Sequence, residues 1–157
     1  MPRRRTIKSS AFTAPPGGVL LATEGRPISK AAVARAVELA KAEGAAVHVF
    51  AIARIHGVSF GLPSPWLRPN HNEWQAIRDI VANAIKLVER TGVQADGNIL
   101  GTRKATQRIV GEAKRLGCTA IVMTGDPEKN RVAGNLDWAQ EPYRVQRRAK
   151  VPVHVIV

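Results

Sequence analysis

The sequence predicts a doubly wound parallel α/β sheet with helices on both faces, and two observations carry the prediction. Short apolar runs that suit buried strands recur along the chain: GVLLAT at 18–23, AAVHVFAIA at 45–53, CTAIVMT at 118–124 and VPVHVIV at 151–157. Between them lie longer segments with apolar residues at helical spacing, and three of these close at a glycine, Gly44, Gly92 or Gly117.

The first strand, Gly18–Thr23, is followed by the turn Glu24-Gly25. Pro27–Glu43 reads as a helix. Pro27 and Ser29 suit its first turn, Val33, Val37 and Ala40 form an apolar stripe, and Gly44 stops it. Ala45–Ala53 is a second buried strand, which completes a βαβ unit with a right-handed crossover. Arg54–Asn70 breaks the pattern with Gly57, Gly61, Pro63, Pro65 and Pro69, and with the aromatics Phe60 and Trp66. A loop of that length is commonly a lid, a binding loop or a mobile segment. Trp66 in it has three readings: covering a ligand, packing at a dimer contact, or pinning the loop to the body. Asn72–Arg90 carries Trp74, Ile77, Val81, Ile85 and Val88 at helical spacing and ends at Thr91-Gly92. Val93–Leu100 is a weaker, alternating strand interrupted by Asp96-Gly97, as suits a sheet edge. Lys104–Leu116 is a helix with Ile109, Ala113 and Leu116 inward, and Cys118–Thr124 is a central strand. A short last helix is expected from Pro142, because proline fits a first helical turn, and Val151–Val157 is the final strand.

Five strands alternating with four helices give, for the flavodoxin-like reversal, the order 3-2-1-4-5. Strands one and four then lie side by side, with ligands above their carboxyl ends. Two loops meet there, Thr23–Pro27 and Gly125–Asp137.

The chain has 157 residues, 45% of them apolar and 23% charged, which suits one globular domain (18–157) behind a basic, loosely packed arm (1–17). No apolar run reaches the roughly 18–20 residues of a membrane span. One cysteine, Cys118, cannot form an internal disulfide, so a cytoplasmic location is expected. The net charge of +12 falls only to +8 without Arg3, Arg4, Arg5 and Lys8 of the arm. Such an excess draws polyanions, among them nucleotides, nucleic acids, anionic membranes and acidic proteins. Solubility alone is the blander account.

Several pieces match one family in order and spacing. They are VLLATEG followed by Ser29 and an alanine-rich helix, VHVFAIA, the block from ILG to GEAKRLGCTAIVM, and the terminal RRAKVPVHVIV. On these pieces the chain resembles the universal stress protein (UspA-like) family from about residue 18 to 157. The resemblance implies a Rossmann-like fold, a homodimer built through the last strand, Val151–Val157, and ATP binding in some members. Binders usually carry an Asp after strand one, and after strand four a loop of pattern GxxG followed later by Gly-Ser/Thr. The Asp position falls on Glu24, one methylene longer, followed by the expected Gly25. Val49 and Met123 fall on positions that line the family's adenine pocket. Gly125 matches the first loop glycine, but Glu128 stands at the second, and the Gly-Ser pair falls near Ala139-Gln140. Glycines there let backbone amides approach phosphate oxygens without an intervening Cβ. Asp126 and Glu128 repel phosphate, while Lys129, Arg131 and Arg26 supply positive charge from the two switch-point loops. Trp138, Pro142 and Tyr143 replace small residues and are bulky enough to fill nucleotide space.

The candidate nucleotide-binding set is therefore Thr23, Glu24, Gly25, Arg26, Val49, Met123, Gly125, Lys129 and Arg131, with ATP or AMP as ligand. Glu24 has a second reading, as a cap for the following helix. His48, His56, His71 and His154 show no metal-ligand spacing with a cysteine or carboxylate. Cys118 begins a buried strand and reads as core. Arg144, Arg147 and Arg148 share a helix face and, with Lys150, form the densest basic patch outside the arm. Three function classes result: a non-catalytic regulatory binding domain, a nucleic-acid or other polyanion binder, and a weak ATPase or nucleotidyl-transfer enzyme. No SGGxDS, HIGH or KMSKS-like signature and no nucleophile–base constellation supports the third. No RNP, KH or zinc-finger pattern supports the second, and aromatics make up only 4%.

Overall fold

Each apolar run becomes a strand of one parallel sheet. The computed structural model describes residues 13–54, 71–126 and 136–157, the side chains of 136–140 excepted. The elements are β1 (Val19–Thr23), α1 (Lys30–Glu43), β2 (Val47–Arg54), α2 (His71–Glu89), β3 (Ala95–Thr102), α3 (Ala105–Leu116), β4 (Ala120–Thr124), α4 (Leu136–Arg148) and β5 (Val153–Ile156). The sheet order is β3-β2-β1-β4-β5, as the sequence predicts, and every pairing is parallel. Val19 aligns with Val47 on one side and with Ala120 on the other, so β1 and β4 are neighbours.

The central strands β1, β2 and β4 are largely apolar because both their faces are covered. Val19, Leu21, Val47, Val49 and Ala51 meet Ala36 and Val37 of α1 and Val81 and Val88 of α2. Leu20, Ala22, Phe50, Ile52, Ile121 and Met123 meet Ile109 and Ala113 of α3 and Val145 of α4 on the other face. This is the double winding the alternation of elements requires.

Helix α1 starts at Lys30, later than the expected Pro27, because the preceding residues are held in a turn. Thr23 Oγ1 donates to the Arg26 carbonyl at 2.6 Å and accepts from Gly25 N–H at 3.2 Å. Ser29 is the N-cap, its hydroxyl accepting from Ala32 N–H at 3.1 Å. Gly44 and Gly117 close α1 and α3 in the left-handed conformation, at φ 64° and 70°.

Helix α4 does not begin at Pro142. It begins at Leu136 and carries the proline inside. An interior proline removes one amide donor from the ladder. Tertiary contacts around it compensate: Val145 is fully buried, and Glu141 and Tyr143 are hydrogen-bonded to other elements.

At the amino end of the sheet, the stretch leading into β1 is tied down. His48 Nδ1 lies 2.7 Å from Asp96 Oδ1 and its Nε2 lies 3.0 Å from the Gly17 carbonyl. Asp96 Oδ2 accepts from Ala14 N–H at 2.7 Å, and Gly17 N–H donates to the Leu116 carbonyl at 2.7 Å. The end of the predicted arm is thus bonded to β2, β3 and the close of α3, while residues 1–12 lie outside the described ones. Among the described residues no helix is long and apolar enough to cross a membrane.

Candidate functional site at the switch point

The adjacency of β1 and β4 brings their following turns together at the carboxyl edge of the sheet, where open α/β folds bind ligands. Contacts among the described residues join the turns. Ser29 N–H, at the start of α1, donates to Thr124 Oγ1 at 3.1 Å. Arg26 reaches across with Nη1 at 2.9 Å from Asp126 Oδ1, while its Nε holds Glu24 Oε1 at 3.1 Å. Arg26 is therefore buried and doubly paired, neither a solvated loop cation nor a guanidinium open to solvent.

Glu24 is the chemical centre of this arrangement. It is 1% exposed, and its Oε2 has no hydrogen-bond partner among the described residues. Burial pushes its carboxyl up to about 7, against the pull of Arg26, and the nearby Glu141 carboxylate adds to the rise. It does not cap α1, since Ser29 does. Gly25 takes φ 124°, a conformation that an L side chain rarely adopts, and so lets the chain turn between Glu24 and Arg26.

A second, part-buried charge pair stands nearby. Arg54, the last residue of β2, places Nη2 2.7 Å from Glu141 Oε1 on α4, and Thr106 at the start of α3 donates to Glu141 Oε2. Glu141 is 2% exposed. Sequence reasoning missed Arg54, Thr106 and Glu141. A cation ending an apolar run at the carboxyl edge was a usable signal for Arg54. Glu141 had none, because the helix that carries it was expected to start one residue later.

The remaining candidates divide. Thr23 is fully buried and organises the β1 turn through the bonds described above. Gly125 donates its N–H to the Ile156 carbonyl at 2.9 Å, and a Cβ there would clash with Val155 Cγ1. Packing against β5 is thus enough to require this glycine. Tyr143, one of the bulky residues, donates its hydroxyl to the Asp126 carbonyl at 3.2 Å. Val49 and Met123 are fully buried on opposite faces of the sheet, each in its own core layer, and do not meet. Lys129, Arg131 and Glu128 lie outside the described residues, as do Phe60, Trp66 and the Trp138 side chain. Burial pushes the Cys118 thiol up to about 12, which suits a core residue. Among the described residues no group of three or more His, Cys, Asp or Glu side chains is placed to hold a metal ion.

Comparison with solved structures places this geometry among known folds. UspA from Lactobacillus plantarum superposes with a TM-score of 0.69 at 17% identity, covering 92% of this chain and 100% of that one. A universal stress protein from Archaeoglobus fulgidus in complex with dAMP gives 0.64 at 18% identity, over 89% and 97% of the two chains. A universal stress protein in complex with cAMP gives 0.63 at 18% identity, over 94% and 99%. At these identities the likeness concerns the fold. No curated protein matches the sequence. The family model of the universal stress proteins matches residues 18–156, nearly the whole chain, and the chain belongs to the universal stress protein family.

Proposed function

We propose that the chain is a regulatory binding domain that performs no chemistry of its own and takes an adenosine monophosphate-type ligand at the switch point. One observation carries the reading: the buried Glu24 carboxyl with an oxygen lacking any partner among the described residues, beside an arginine that spans both loops. A buried polar atom left unpaired costs about 1–3 kcal/mol, and a ribose or base donor would satisfy it. Arg26 would exchange Asp126 for a phosphate oxygen. Lys129, Arg131 and the Thr23-Glu24-Gly25 turn complete the binding set in this reading. The structures holding dAMP and cAMP support a single phosphate. Asp126 and Glu128 disfavour the further charges of ATP.

Calorimetry at moderate salt tests this. AMP is expected to bind at least tenfold more tightly than ATP, and Arg26→Ala to weaken AMP at least tenfold. No heat at millimolar AMP overturns the nucleotide reading. Pyrophosphate release with an acceptor would overturn the non-catalytic one.

Two further readings rest on separate observations. The +12 charge favours a polyanion, whose binding must then fall steeply with salt. The edge strand β5, half-buried along its length, favours a homodimer through Val151–Val157. Light scattering on the eluting protein at micromolar concentration is expected to give twice the chain mass.

A further inference from the structure

We propose that a second cavity, far from the switch point, binds a medium-chain aliphatic carboxylate. The cavity lies between α3, the amino end of β4 and the turn from α4 to β5, and has a volume of about 280 Å³. That is roughly nine waters' worth of space, enough for an aliphatic chain of roughly eight to ten carbons. Its apolar lining comes from Val110 and Ala113 of α3, Ile121 of β4, and Val151. Ile121 is fully buried.

The remainder of the lining is almost entirely cationic. Lys114, Arg148 and Lys150 border the cavity, and no carboxylate does. Among the described residues none of the three has an ion-pair partner, whereas Arg26, Arg54 and Arg115 each face a carboxylate at 3.1 Å or less. Attraction of basic residues to helix C-termini accounts for Arg148 and Lys114 near the ends of their helices. It does not account for the apolar hollow beneath them. A nucleobase placed there would leave its polar edges without partners, at a desolvation cost. An alkyl chain brings no polar group that would be left unpaired inside, and its carboxylate would meet three cations at the mouth.

The site is independent of the nucleotide reading and is tested apart from it. Methyl-labelled protein is titrated with sodium decanoate, with butyrate and decanol as controls. The expected result is a set of shifts at Val110, Ile121 and Val151. Decanoate is expected to bind at least tenfold more tightly than either control. The exposed-site double variant Arg148→Glu with Lys150→Glu should lose at least tenfold in decanoate affinity while its own methyl spectrum remains that of the folded protein. Absent shifts at millimolar decanoate overturn the proposal, as does equal binding of decanol or an unchanged affinity in the double variant. Sedimentation with anionic phospholipid vesicles, without shifts from free decanoate, also overturns it and assigns the face to a membrane surface instead.

Discussion

Glu24 has its carboxyl raised from an ordinary 4.5 to about 7 by burial, and this has a thermodynamic consequence. Between these values the folded state holds a proton that the unfolded state has released, so stability falls as pH rises through this window. The contribution is fully present below about pH 4.5 and is lost by about pH 7, with a magnitude on the order of 3 kcal/mol. Glu24→Gln keeps the shape and removes the titration. Urea unfolding at pH 5 and pH 7.5 is expected to show a drop in the native protein that is much reduced in Glu24→Gln. Equal drops in both proteins would assign the pH dependence elsewhere. Its place directly after the first apolar run, together with the family's Asp position, made Glu24 legible in the sequence. Its state was not legible, because burial is a property of the folded chain and Glu141 approaches from α4, more than a hundred residues away. Arg26 shows the same limit. A cation in a turn reads as solvated until the neighbouring strand delivers Asp126 to it.

At the scale of elements, helix and strand order followed from apolar periodicity, because the central strands are covered on two faces and each helix on one. The departures lie where tertiary contacts outweigh a local rule, as at Pro142 inside α4. Strand β3 is the other instance. Asp96-Gly97 reads as an interruption, yet β3 runs through both residues, from Ala95 to Thr102. Asp96 stays because it pairs with His48 and Ala14 N–H, and Gly97 because α2 packs directly upon it. A Cβ at Gly97 would stand 2.6 Å from Val81 Cγ1, 2.9 Å from Ile85 Cδ1 and 3.2 Å from the Val49 carbonyl oxygen. Gly97→Ala is therefore expected to cost about 1–3 kcal/mol by overpacking. Gly111, exposed on α3, where an added Cβ would meet nothing within 4 Å, gives the opposite result. Gly111→Ala is expected to stabilise by about 0.5–1 kcal/mol, because helix interiors prefer alanine. Denaturant midpoints of the two variants measure both signs: a stabilised Gly97→Ala would mean that α2 can move away from β3, and a destabilised Gly111→Ala would overturn the helix-propensity reading.

For the whole molecule, the charge excess of +12 sets how stability responds to salt. Two kinds of attractive pair oppose the repulsion. Exposed pairs one turn apart, Arg35 with Glu38 and Arg115 with Glu112, contribute little individually, on the order of 0.5 kcal/mol. More enclosed pairs, Arg26 with Glu24 where that carboxyl is ionised and the part-buried Arg54 with Glu141, are screened less and respond more weakly. What salt screens is chiefly the mutual repulsion of the remaining lysines and arginines, which weakens the compact state. Raising sodium chloride from 20 to 300 mM shortens the screening length from about 20 Å to about 6 Å. Relief of about 1 kcal/mol would raise the thermal midpoint by about 2–4 °C for a chain of this length. A falling midpoint would mean that surface pairs outweigh the repulsion. A rise already complete at a few millimolar phosphate, where screening has barely begun, would instead signal occupancy of a discrete anion site. Arg26→Ala, repeated under those conditions, distinguishes the switch point from the cationic rim of Lys114, Arg148 and Lys150. If the early rise survives that substitution, the anion sits elsewhere than between the two turns.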